Sequence, residues 1–250
     1  MSELGVRAVA GLPEIGSGDR LGELIASAAG ELRDGDVVVV SQKVVSKAEG
    51  QVRRLSAVIP GAEARRLAAV LGKEPALVEL VLEQSSRVIR AERTVLIVET
   101  KHGFVCANAG IDSSNLPDDG TVCLLPDDPD ASARRLRAEL AAASGASRIG
   151  VVIADSFGRA WRIGQAEVAI GCSGLRPLDD WRGRHDAGGR QLEATLIAIA
   201  DEAAGAADLV RNKASGVPAA VVRGLGDYVG SDDGPGAAAL LRPPHEDLFR

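Results

Sequence analysis

Asp155 and Ser156 follow directly on an apolar, mostly β-branched run, Ile149 to Ala154, and Arg159 and Arg162 come soon after. A carboxylate beside a hydroxyl at the mouth of a strand offers hard oxygen ligands to a divalent cation. Two arginines nearby offer forked hydrogen bonds to phosphate or carboxylate. An isolated Asp in such a turn is more often only solvated. Here Phe157 and Trp161 stand in the same turn, in a chain with only two Trp, one Tyr and three Phe. Scarce aromatics placed in a polar turn mark it as a candidate site.

Three further stretches carry compatible chemistry. Asp112, Ser113, Ser114 and Asn115 lie in a small polar segment, and Asp112 and Asn115 are oxygen ligands of the kind Mg²⁺ or Mn²⁺ takes. Asx-rich turns also occur for purely structural reasons. Lys43 and Lys47 stand among Ser41, Gln42 and Ser46 just past the strand Asp36 to Val40, where amines suit phosphate contacts. The plainer alternative is a solvated loop. Residues 11–19 form a Gly-rich loop before a helix, whose backbone N–H groups suit an anion. Its spacing fails the G-x-G-x-x-G fingerprint because Leu21 stands where the last Gly belongs. No G-x-x-x-x-G-K-[ST] P-loop occurs. Together these residues describe a metal-assisted phosphate site. Asp112, Asp155 and Ser156 would hold one or two divalent ions, and Lys43, Lys47, Lys213 and the loop 11–18 would contact phosphate. No Cys–His or Ser–His–Asp set is visible, as expected where phosphoryl transfer runs on charge neutralisation and positioning.

The elements that must position these groups read as follows. Helices are expected over 20–32, with Asp19 as cap, over 62–72 and 75–87, from Asp130 or Ser132 to Ala143, and over 191–210. Strands are expected over 36–40, 94–100, 104–107, 121–125, 149–154, 168–170 and 219–222, with a hairpin at His102 and Gly103. Glu83 and Arg87 would pair on a helix surface. Residues 171–189 and 224–236 read as long polar loops. Strands and helices alternate without a clean βαβ rhythm, so mixed α+β sheets with flanking helices are expected rather than a doubly wound sheet.

Composition sets the bounds. The chain has 250 residues, 46% apolar and 26% charged, ordinary for a globular protein with one large unit or two lobes. The net charge of −6 argues against a nucleic-acid partner. Cys106, Cys123 and Cys172 have no C-x-x-C spacing, and with His102, His185 and His245 they make no zinc pattern. Free thiols fit a cytoplasmic setting. There is no signal-peptide pattern and no apolar run near the roughly 18 residues of a membrane span.

Several long motifs in fixed order resemble the coenzyme F-420:L-glutamate ligases, γ-glutamyl ligases acting on a deazaflavin precursor. They are Gly11 to Ile15, Val45 to Gly50, His102 to Asp112 with Asn115, Asp155 to Arg159 with Trp161 and Arg162, and Glu246 to Arg250. The resemblance covers essentially the whole chain. It implies a family-specific ligase fold, neither ATP-grasp nor Rossmann, in an intertwined homodimer, with residues 1–250 as one ligase unit and no C-terminal nitroreductase-like domain. It implies GTP contacts from Leu12, Pro13, Glu14, Ile15, Gln42, Lys47 and Asn115, and from the stretch Arg211, Asn212, Lys213, Ala214, Ser215, Gly216, Val217 and Pro218. Asp112 and Asp155 would share one divalent metal, Mg²⁺ or Mn²⁺. Ser156 would bind a second, with Lys213 at or near that position, and K⁺ is a further implied cofactor. Gln42 replaces a small hydroxyl residue common in the family, and Arg211-Asn212 replaces Met-Gly. The implied substrates are coenzyme F-420-0, L-glutamate and GTP, with an acyl phosphate between the two half-reactions and further γ-linked glutamates as an extension. Arg159, Arg162 and His102 are the catalytic candidates, with Glu193 beside His102 as a base for the amine. Two other readings use the same residues: a metal-dependent phosphohydrolase, and a GTP-sensing module without turnover.

Overall fold

The computed structural model describes residues 3–114, 116, 118, 120–211 and 216–248. Its centre is set by four successive valines. A run such as Val37 to Val40, with no polar alternation, needs cover on both faces. All four are fully buried, and each contributes roughly 1.5–3 kcal/mol on leaving water. They form β2 (Val37–Ser41), the middle of a five-stranded sheet. The order across the sheet is β1 (Gly5–Val9), β12 (Ala219–Arg223), β2, β8 (Gly150–Arg159) and β9 (Arg162–Ser173). Only β2 and β8 run parallel; the other neighbours are antiparallel.

Strand alternation divides the core in two. Val38, Val40, Val151 and Ile153 face a layer with α1 (Leu21–Ala29) and α5 (Pro129–Ser144), from which Ile25, Leu136 and Leu140 pack. Val37, Val39, Val152 and Ala154 face α6 (Ile199–Asp208), whose Ala200, Ala203, Ala204 and Ala207 let the helix approach closely. A second region carries β4 (Ser85–Glu92), β5 (Val95–Thr100) and β6 (Val105–Ala107), antiparallel in that order. α3 (Ala62–Leu71) and α4 (Pro75–Glu83) cover it around Leu67, Leu71, Val81, Leu96 and Val98. Between the regions lie α2 (Gln42–Ala48) and the pair β3 (Val52–Arg54) with β7 (Thr121–Cys123). A short pair, β10 (Asp179–Asp180) with β11 (Leu196–Ile197), borders α6. This is a mixed α+β architecture, as expected. Among the described residues no helix is long and apolar enough to cross a membrane.

Several local expectations are corrected. The strand at 149–154 does not stop at Asp155; β8 continues to Arg159 because β9 pairs with it along its length. β9 in turn starts at Arg162, well before the short strand expected at 168. The helix begun at Pro75 ends at Glu83, and the next residues turn into β4, missed because the apolar pattern of the helix runs on into it and only pairing with β5 makes it a strand. Arg87 therefore pairs with Glu99 across the sheet, not with Glu83. Residues 191–198 precede the last helix rather than belonging to it. α1 spans Leu21–Ala29 and gains no side-chain cap, since Asp19 instead accepts from the Gly16 N–H. α5 starts at Pro129, and Asp128 is its cap, accepting from Ala131 N–H at 2.9 Å. Lys43 and Lys47 lie on α2 rather than in a loop.

Candidate active site

Asp112 and Asp155, distant in sequence, line one cleft of about 610 Å³, a size typical of small-molecule sites. The loop Leu12–Ile15 forms one wall. The end of β2 and the start of α2 contribute Ser41, Gln42, Lys43 and Lys47, and Ser114 lies beside Asp112. β8 and β9 supply Asp155, Ser156 and Glu167, and the far wall carries Asp208, Arg211 and Gly216 to Pro218.

Local structure explains how each acid arrives. Asp112 is fixed by its backbone, which exchanges both hydrogen bonds with Cys123 at the edge of β7. Just upstream, Asn108, Ala109 and Gly110 all take positive φ, at 51°, 55° and 71°. Two of the three are not glycine, and such backbone strain concentrates where a side chain must be aimed. A side chain at Gly110 would be strained by its positive φ, and its Cβ, 2.9 Å from Leu125, would force the leucine side chain to shift. Consecutive strand residues face opposite ways. Asp155 thus shares a face of β8 with Ile153 and Phe157, and Ser156 shares the other with Ala154. Ser156 stands directly opposite Glu167 on β9, and its hydroxyl donates to that carboxylate at 2.5 Å.

Each basic side chain lining the described cleft is held by an acid. Lys43 Nζ lies 2.7 Å from Asp112 Oδ2 and also donates to Ser114. Lys47 Nζ lies 2.6 Å from Glu14. Arg211 lies 3.0 Å from Glu167, with both side chains under a tenth exposed. Gln42 is buried and its side-chain oxygen accepts from the Ser46 hydroxyl at 3.0 Å. Burial opposes the charge on Asp112. The hydrogen bonds from Lys43 and the Ser114 N–H outweigh it, and its carboxyl sits below the ordinary value. Arg211 Nε is buried with no acceptor among the described residues, a cost of roughly 1–3 kcal/mol unless a ligand supplies one.

Among the described residues the lining holds five carboxylates, Glu14, Asp112, Asp155, Glu167 and Asp208, against the three basic groups Lys43, Lys47 and Arg211. Bare polyphosphate would be repelled by such a surface. The donor set suits a ligand that arrives with a hard divalent cation, for which Asp112 and Asp155 provide oxygens. Burial first, and Asp155 second, push the Cys106 thiol up to about 12, away from the thiolate form a nucleophile needs.

The other expected residues are distributed as follows. Leu12, Pro13, Glu14, Ile15, Gln42, Lys47, Arg211, Gly216, Val217 and Pro218 all line the cleft. Asn115, Asn212, Lys213, Ala214 and Ser215 lie outside the described residues. Arg159 and Arg162 do not line the cleft; they flank the tip of the β8–β9 hairpin. There Trp161 is 81% exposed and Ile163 fully so. His102 also stands apart, with Nε2 3.1 Å from the Asp127 carbonyl and its ring stacked on Phe104. Glu193 is an exposed residue before α6. Sequence reasoning missed Glu167 and Asp208. A two-residue hairpin loop between Arg159 and Arg162 would by itself put Gln165 opposite Ser156; a register shift between Gly158 and Arg159, which no local pattern announces, brings Glu167 there instead. The helical pattern assigned to 191–210 gave Asp208 no special place.

Comparison with known proteins places the chain in a family. Residues 11–224 match the family model described as F420-0:Gamma-glutamyl ligase. The coenzyme F420:L-glutamate ligase of Methanothermobacter thermautotrophicus is 46% identical over 248 residues, covering 97% of each chain. That of Methanocaldococcus jannaschii is 41% identical over 231 residues, covering 92% of this chain and 90% of its own. The Archaeoglobus fulgidus protein of the same name is 46% identical over 218 residues, covering 87% and 86%. The matched span takes in the Leu12–Ile15 wall, both lysines of α2, Asp112, Asp155 and Arg211, and the chain belongs to the F420-0:gamma-glutamyl ligase family.

Proposed function

We propose that this protein is a GTP-dependent ligase joining the carboxylate of coenzyme F420-0 to the amine of L-glutamate. Ligation is the activity named for the family and for its relatives. The observation that carries the GTP-dependent mechanism is the meeting of Asp112 and Asp155 in one cleft with the Leu12–Ile15 loop and the lysines of α2.

In this reading the γ-phosphoryl group of GTP passes to a carboxylate oxygen of the deazaflavin's lactyl-phosphate arm. GDP leaves and an acyl phosphate remains. The glutamate amine attacks the acyl carbon; the C–N bond forms, the C–O bond to phosphate breaks with its electron pair leaving on inorganic phosphate, and the amine gives up a proton to solvent. A divalent cation, Mg²⁺ or Mn²⁺, held by Asp112 and Asp155 would neutralise charge on the phosphate oxygens. The chain's own residues bind and align. Lys47 and the Leu12–Ile15 loop hold the nucleotide, and Lys43 keeps Asp112 ionised. Gly216 to Pro218 close the opposite wall. Alignment supplies much of the remaining acceleration.

The reading includes a homodimer. The β8–β9 hairpin carries Trp161 and Ile163 exposed at its tip, flanked by Arg159 and Arg162, and burying these side chains against a second copy would remove that apolar surface from water.

Mass spectrometry of the deazaflavin precursor incubated with protein, GTP, Mn²⁺ and glutamate tests the function. A glutamyl mass increment with GDP release that depends on glutamate is expected. GDP release without glutamate would indicate a phosphohydrolase, and nucleotide binding without product would indicate a sensing module.

A further inference from the structure

We propose that the Arg211 guanidinium is a resident cation of the cleft. It fills the corner formed by Ser156 and Glu167, so that the chain takes one divalent cation per active site rather than two. The inference rests on the ligase reading for the identity of the cleft's ligand and goes beyond it in stating how many metal ions the site admits.

Arg211 stands just past the end of α6, where its N–H bonds back to the Ala207 and Asp208 carbonyls. Its side chain is 6% exposed. One terminal nitrogen donates to Glu167 Oε2 at 3.0 Å and the other to the Pro218 carbonyl at 3.3 Å. The second oxygen of Glu167 accepts the Ser156 hydroxyl at 2.5 Å. Among the described residues this corner therefore sets a carboxylate with both oxygens engaged against one permanent positive charge. Arg does not lose its proton at any working pH. A divalent cation bound through Ser156 would have to share Glu167 with the guanidinium and stand beside a like charge in a buried setting, where repulsion is poorly screened. The residues present thus do not fit a second metal at Ser156.

The Asp112 corner differs. Its cation is Lys43, a flexible amine 16% exposed, beside Asp112 at 37%, and Asp112 and Asp155 together offer two carboxylates. A hard cation fits there. At the other corner, Arg211 Nε still lacks an acceptor among the described residues, and a phosphate oxygen would satisfy it through a charge-assisted bond.

Metal counting tests the proposal without reference to turnover. The full chain, stripped of metal and saturated with GDP, is titrated with Mn²⁺, and free Mn²⁺ is read by electron paramagnetic resonance. One tight Mn²⁺ per chain is expected, and two would overturn the proposal. None would overturn the cation site at Asp112 and Asp155 as well, so the two failures are distinct. In Arg211→Met the count is expected to rise to two, and adding Glu167→Gln should return it to one. A folded Arg211→Met protein that still binds one Mn²⁺ would also overturn the proposal. Should that variant not fold, the wild-type count alone decides.

Discussion

Ser156 and Glu167 face each other across β8 and β9, hydroxyl to carboxylate at 2.5 Å, and Glu167 is at the same time the ion-pair partner of Arg211. One cross-strand register thus couples the acidic end of β8 to the residue that follows α6. The cleft is built on that coupling as much as on its acids.

Breaking the pair on one side leaves a buried charge without its partner. Glu167→Gln is expected to destabilise the protein by about 3–5 kcal/mol, the usual range for a buried ion pair cut in this way. Urea melts at pH 7 measure it. Replacing both partners, Glu167→Gln with Arg211→Met, should recover most of that loss, because no buried charge is then unpaired. Equal losses in the single and double variants would show that the pair is not what holds β9 to the end of α6.

Asp112 gives a pH signature. Its folded-state pKa lies below the ordinary 3.8, with burial opposed and outweighed by Lys43 and Ser114. A depressed carboxyl contributes stability that is fully present above its unfolded value and is lost as pH falls through the folded value. Acid unfolding should therefore draw on Asp112 only below about pH 4. In Lys43→Met the carboxyl should titrate higher, and the stability it loses on acidification should shrink. Side-chain carbon NMR of Asp112 in both proteins checks the direction.

The turn before Asp112 tolerates little. Gly110 combines φ of 71° with a Cβ position 2.9 Å from Leu125. Gly110→Ala should cost about 1–3 kcal/mol through backbone strain and overpacking. It should also lower Mn²⁺ affinity, since Asp112 lies two residues on. A variant with wild-type melting and metal binding would remove the turn from the account.

At the hairpin tip, Trp161→Glu with Ile163→Glu should convert a dimer into monomers at micromolar concentration, read by sedimentation velocity. Both side chains are exposed in the single chain, so its melting should change little. Sedimentation unchanged from wild type would place any dimer contact elsewhere.

Much of the fold was legible where local pattern decides the outcome. Val37 to Val40 announce a strand buried on both faces, and the Ala-rich face of α6 announces close packing on a sheet. The gathering of Asp112, Asp155, Lys43 and Lys47 was legible from chemistry, since each is a phosphate- or cation-directed group at the end of an element. What escaped was strand pairing, which one segment's own pattern does not show. β4 reads as more helix because only pairing with β5 makes it a strand. Residues 162–165 are exposed and carry no apolar alternation, so nothing local marks them as half of a long hairpin. Glu167 became visible only through its register with Ser156. Arg159 and Arg162 looked like site residues because the strand was expected to end before them; its continuation carries them to the hairpin tip instead.

Mn²⁺ affinity in a double-mutant cycle of Asp112→Asn and Asp155→Asn, with GDP bound, tests the central relationship most directly. If both carboxylates hold one cation, each single variant should lose several kcal/mol of metal binding, and the double variant should lose little more than the worse single. Strictly additive losses, or a single variant that binds Mn²⁺ as tightly as wild type, would contradict the shared site.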